Sequence, residues 1–175
     1  MVTRWRSFPR SRAAEVRRIS VQAGDFDPGK EIEALQGCAP EAGALASFIG
    51  VVRSDAAHPI EALTLEHYPA MTTAAVRRVA DEAEGRFALL GCTIVHRFGR
   101  LLSGERIVFV GTASSHRRAA LEAAEFLIDW LKTSAPFWNQ EHLADGSARW
   151  VAALAQDEAD AERWLADRSK SARLV

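Results

Sequence analysis

The chain has 175 residues, of which 48% are hydrophobic and 26% charged, with a formal net charge of −1. That is enough chain to bury a core as one domain. A near-neutral balance argues against a nucleic-acid binder, and no apolar run is long enough to span a bilayer. Two cysteines, Cys38 and Cys92, lie outside any CxxC or Cys/His pattern. This argues against a disulfide scaffold or a structural zinc site and makes a reducing cytoplasm the expected compartment.

The first 18 residues carry six arginines against one acid, Glu15. They read as a flexible Arg-rich extension, a targeting segment or a basic arm, and stand outside the fold. Residues 19–165 form the expected domain and 166–175 a tail. Residues 18–23 alternate as a short strand. Asp27-Pro28-Gly29 reads as a turn or helix start, before a short helix over 31–36 that ends at Gly37. Residues 43–53 read as a buried strand, with a bulge or a close backbone approach at Gly50.

After a loop over 54–59, residues 60–68 alternate with period two. Thr72 or Thr73 is expected to cap a helix to Phe87, whose buried stripe is Val76, Val79, Ala80, Ala83 and Phe87. Strands over 91–98 and 106–113 form an antiparallel pair turned at Ser103-Gly104. Ser114-Ser115 then caps the longest helix, with Ala120, Ala123, Ala124, Leu127, Ile128 and Leu131 inward, until Pro136 stops it. A turn over 144–148, a short strand over 149–152 and an acidic helix over 157–165 complete an α+β order.

Three clusters could carry chemistry. The first is His116-Arg117 at the start of the long helix, where unpaired amides already favour an anion such as phosphate or carboxylate. A charged surface cap is an equal reading. The second is Arg53, at the end of a buried strand, where clefts open. A plain strand-terminal arginine is the simpler reading.

The third is Lys132, one of three lysines in a chain with nineteen arginines. Unlike arginine, a lysine can lose its proton and act as base or nucleophile. A solvated lysine at a helix end is the bland alternative. His116 and Lys132 are separated by roughly 24 Å along one helix. If both serve one small substrate, two copies of the chain must contribute, as in a homodimer with composite sites. His67 and His96 sit in apolar-patterned strands and read as core or interface histidines.

Several segments carry a resemblance: Phe48 to Arg53, Leu63 to Met71 (LTLEHYPAM), His96-Arg97-Phe98-Gly99, Ser103-Gly104-Glu105, Ser115-His116-Arg117, and Leu131 to Trp138 (LKTSAPFW). In order and spacing they resemble the catalytic, large-subunit family of molybdopterin synthase, the MoaE family, across about residues 19–165. The resemblance implies an α/β hammerhead-like fold with an additional small β subdomain. It implies a homodimer that binds a small ubiquitin-like sulfur carrier at each end, giving a heterotetramer. The carrier's C-terminal Gly-Gly thiocarboxylate supplies sulfur to cyclic pyranopterin monophosphate, forming the dithiolene of molybdopterin.

By position, the resemblance places substrate binding on Val51, Val52, Arg53, His116 and Arg117, and catalysis on Lys132. A second family lysine falls on Asn139, followed by Gln140 and Glu141, and a nearby arginine such as Arg149 would have to compensate. The alternative is a non-catalytic paralogue acting as a carrier-binding or assembly subunit. No cofactor or metal, nucleic acid or membrane is called for. Because sulfur arrives on the carrier, no nucleophilic cysteine is needed.

Overall fold

The computed structural model describes residues 17–54, 59–151, 157, 159 and 161–164. The arginines up to Arg12, the C-terminal tail and part of the last predicted helix lie outside the described residues. Two four-stranded sheets share the chain. The first has the order β1-β4-β6-β2, built from β1 (Arg17–Gln22), β4 (Gly91–Arg97), β6 (Arg106–Ser114) and β2 (Ala44–Val51). β1 and β4 run parallel, and the other pairs are antiparallel.

Arg17, expected in the extension, belongs to β1 together with Arg18, where the sequence already pointed to a strand. Arg17 Nε donates to Glu84 at 2.7 Å and Arg18 Nε to Glu31 at 2.7 Å. These ion pairs tie the first strand to the neighbouring helices.

β4 is buried at every position, so both of its faces are covered. Cys92 and Ile94 face helices α2 (Pro69–Phe87) and α3 (Arg117–Thr133), joining Val76, Val79, Ala80, Ala83, Phe126 and Leu127 in the main core. Val95 faces the other way, onto Phe26 and Phe109. Helix α1 (Pro28–Cys38) covers that side through Leu35, against Ala113. Period two therefore directs His96, the next residue after Ile94 on its face, toward the α2/α3 side.

The helix boundaries differ from the sequence reading for local reasons. Asp27 caps α1 by accepting from the amides of Gly29 and Lys30, and the helix runs through Gly37 to Cys38. α2 starts at Pro69, a position where the missing N–H costs nothing. Thr72 is buried inside it and donates its hydroxyl to the Pro136 carbonyl at 3.2 Å. α3 begins one turn-residue later than expected: its N-cap is His116, with no side-chain cap bond, because Ser114 still belongs to β6.

The second sheet has the order β5-β3-β7-β8, all antiparallel. Its strands are β5 (Gly99–Leu102), β3 (Ile60–His67), β7 (Phe137–Leu143) and β8 (Ala148–Val151). β5 and β7 were not expected from the sequence. The predicted antiparallel pair β4–β6 is present, but the chain detours through β5 into the second sheet before the Ser103-Gly104 turn, where Gly104 has φ +84°. Val52, Leu65 and Leu101 cement the junction of the two sheets. The architecture is α+β: one helix-covered sheet with a smaller β unit beside it.

Candidate functional site

Between the two sheets, at the C-terminal end of α3, lies a cavity of about 390 Å³. That lies within the range of small-ligand pockets, ~300–1,000 Å³. Its walls come from β2 (Phe48 to Val51), β3 (Leu63, Leu65), β6 (Ile107, Val108), α3 (Ile128, Leu131) and Phe137. The polar groups among its lining residues are His96, Lys132 and Asn139. Two helix positions predicted as core, Ile128 and Leu131, are thus also cavity wall.

Gly50 makes that wall possible. A Cβ built there would lie 2.8 Å from Val108 Cγ1 and 3.4 Å from the Phe48 ring. The β2–β6 register also shifts between Gly50 and Val51. Of the two sequence expectations at this glycine, a bulge or a close backbone approach, the register shift bears out the first, and the close neighbours are side chains.

Lys132 stands at the cavity edge, with 53% of its side chain exposed. Its ammonium pairs with Asp157 Oδ1 at 3.0 Å. Asn139 lies on β7 opposite Leu65 of β3. Its Oδ1 is buried with no hydrogen-bond partner. Arg149 Nε donates to Glu141 at 2.7 Å across the β7–β8 ladder.

His96 was read as a core or interface histidine, and it has a further place. It is 6% exposed, stacked on Phe137 (ring centroids 3.9 Å apart, 15° between planes), and borders the cavity. Its Nδ1 lies 2.9 Å from the Arg97 carbonyl. Since a carbonyl only accepts, Nδ1 carries the proton. Burial pushes the imidazole pKa down to about 4. The Arg97 carbonyl opposes that shift, and the nearby His67 contributes to it. The signal for this role was the meeting of β4 with α3 and β7, which no local pattern encodes.

The other predicted residues are spread around this centre. Val51 lines the cavity and is exposed on its outer side. Val52 turns inward, buried against Leu65 and Leu101, and its amide donates to the Glu105 carbonyl at 2.8 Å. Arg53 is exposed just beyond. Gln140 and Glu141 follow Asn139 on β7, opposite Thr64 and Leu63. His116 and Arg117 are exposed at the opposite end of α3, away from the cavity. Cys92 is buried and its thiol pKa is pushed up to about 12 by burial, which suits a structural rather than a nucleophilic thiol.

A larger hollow, about 690 Å³, lies by Arg17, Arg18, Cys38 and Arg77. Two of its arginines are already neutralised, Arg17 by Asp81 and Glu84 and Arg18 by Glu31. None of the predicted site residues lines it. Among the described residues, no cluster of His, Cys, Asp or Glu is suited to hold a metal.

The MoaE protein family model matches residues 21–134. The molybdopterin synthase catalytic subunit of Rhizobium meliloti is 49% identical over 147 residues, covering 83% of this chain and 94% of that protein. A molybdopterin biosynthesis MoaE protein from Burkholderia ambifaria has a solved structure that superposes with a TM-score of 0.72. It is 45% identical and covers 85% of this chain and 97% of that one. Molybdopterin synthase from Staphylococcus aureus superposes with a TM-score of 0.67 at 25% identity, covering 76% of this chain and 96% of that chain. By family match, sequence identity and fold together, the chain belongs to the MoaE family of molybdopterin synthase catalytic subunits.

Proposed function

We propose that the chain is the large subunit of a molybdopterin synthase and that sulfur transfer takes place in the cavity at the C-terminal end of α3. A small ubiquitin-like carrier inserts its C-terminal Gly-Gly thiocarboxylate there. Two sulfurs, one from each of two carriers used in turn, pass to cyclic pyranopterin monophosphate to give the dithiolene, and each carrier leaves as a carboxylate. The observation that carries this reading is the meeting of Lys132 and Asn139, from the end of α3 and the following strand, with Val51 of the distant β2 on one apolar-walled cavity. Apolar walls suit a glycine tail, which has no side chains to accommodate, and they strengthen the few polar contacts inside.

Lys132 supplies the cation of the cavity edge. It leaves Asp157 to meet the thiocarboxylate, or the oxyanion that forms when water adds to the acyl carbon, before the C–S bond breaks and the carrier departs as a carboxylate. It also stands ready as general acid or base for loss of the phosphate ester. Asn139 offers hydrogen bonds but no charge. The His116-Arg117 pair lies one helix length away from Lys132, so it binds the substrate's phosphate in the site of a second copy. A homodimer with two composite sites, each receiving one carrier, follows, and with both carriers it is a heterotetramer.

The test is reconstituted sulfur transfer from thiocarboxylated carrier to cyclic pyranopterin monophosphate. The wild-type chain is expected to form the dithiolene product. A well-folded wild-type protein that binds the carrier yet forms none would overturn the reading.

A further inference from the structure

The hydrogen-bonding capacity that this fold leaves unmet is gathered at one spot. Among the described residues, the buried side-chain nitrogen and oxygen atoms without a partner are His67 Nδ1 and Asn139 Oδ1. In the β3–β7 ladder His67 faces Phe137 and Leu65 faces Asn139. His67 and Asn139 are therefore diagonal neighbours on one face of the sheet. The Phe137 ring meets two imidazoles, with His67 at 5.8 Å and His96 stacked at 3.9 Å. Folded proteins pair nearly all such atoms, so a local deficit beside a cavity marks a place where a bound molecule contributes.

His96 is the member of this cluster whose chemistry is fixed. Its Nδ1–H is spent on the Arg97 carbonyl, so Nε2 presents a lone pair. Burial keeps the ring neutral well below neutral pH. Lys132 can only donate, and the rest of the wall apart from Asn139 is apolar. An N–H that enters such a cavity loses its water and needs an acceptor. A neutral lone pair also disfavours an anion at its end, whereas the ammonium at the other edge attracts one.

We propose that His96 is a substrate-orienting residue: its Nε2 accepts a hydrogen bond from an N–H of the molecule bound in the cavity, which turns that molecule's anionic end toward Lys132. This rests on the sulfur-transfer reading. The N–H belongs either to the last peptide groups of the carrier tail or to the pterin ring, and the two are separable.

The experiment compares His96→Phe, which keeps the stack on Phe137 and removes the acceptor, with His96→Gln, which restores one. Both are measured for binding of intact carrier, for binding of carrier lacking its last two residues, and for the KM of cyclic pyranopterin monophosphate. The expected result is a loss of about 10- to 100-fold in kcat/KM for Phe, the scale of one buried hydrogen bond, largely recovered by Gln. Weaker binding of intact but not truncated carrier assigns the N–H to the tail. A raised KM with unchanged carrier binding assigns it to the pterin.

A Phe variant within twofold of wild type in carrier binding, in KM and in kcat/KM overturns the proposal while leaving the functional reading intact. A wild-type protein without sulfur transfer removes both. Should the Phe variant fail to fold, nitrogen NMR of histidine-labelled wild-type protein decides: the His96 Nε2 signal shifts on adding carrier or substrate, and an unmoved signal overturns the proposal.

Discussion

The two ends of α3 solve the same problem in opposite ways. At its N-terminus, His116 and Arg117 are exposed, the cap makes no side-chain bond, and Arg118 pairs with Glu122 one turn on. Charge there is plentiful and open to salt. At its C-terminus, Lys132 stands at the edge of a cavity whose other walls are mostly apolar, with His96 and Asn139 inside. Charge there is scarce, but each polar contact is shielded. An exposed cluster can gather an anion. A shielded one can decide how a molecule lies and how it reacts.

Substitutions at the two ends should break this contrast most clearly. Lys132→Ala is expected to lower kcat/KM for sulfur transfer by about a thousandfold, the scale of a lost acid–base or oxyanion contact. Lys132→Arg separates those roles, because it keeps charge without the ability to transfer a proton. Near-normal product formation by Lys132→Arg in a single-turnover assay would exclude the acid–base role. Arg117→Ala should cost about tenfold, mainly in the KM of the phosphate-bearing substrate. Its effect should fade as salt is raised, unlike that of Lys132→Ala.

The shielded end should also show in stability against pH. The folded-state pKa of His96 is about 4, below the ~6.5 of an unfolded histidine. The unfolded chain therefore binds more protons between these values. The stabilisation is complete above about pH 6.5 and is lost as pH falls toward 4, on the order of 3 kcal/mol in total. Urea unfolding across that window should lose this slope in His96→Phe. The exposed end offers no comparable buried group. The smallest effect is expected from Asp157→Asn: the Lys132 pair is half exposed, so stability should change by less than about 1 kcal/mol.

Much of the helix-covered sheet was legible because its segments carry their own periodicity. The stripe Val76, Val79, Ala80, Ala83 points to burial whatever surrounds it, and in the second sheet so does the alternation of Leu63 and Leu65. β7 was not legible. Phe137 to Leu143 follows a helix-stopping proline and contains Asn139, Gln140, Glu141 and His142, polar residues whose strand form depends on pairing with β3 and β8. β5 is four residues long and exists as a partner for β3.

The site divides the same way. Lys132 and Asn139 are seven positions apart, across a helix end, and motif spacing found both. His96 looked like core because β4 is buried on both faces. Its cavity role depends on where β4 ends relative to α3 and Phe137, a tertiary fact.

The claim that the cavity receives the carrier tail can be tested most directly by photocrosslinking. A carrier with a photoreactive group near its C-terminal end is bound to the full chain and illuminated, and the adducts are located by mass spectrometry. The account predicts adducts on the cavity walls, within Phe48 to Val51 and Phe137 to Asn139, and their loss when the tail is removed. Adducts confined to the larger hollow at Arg17, Cys38 and Arg77, in a complex that still transfers sulfur, would contradict it.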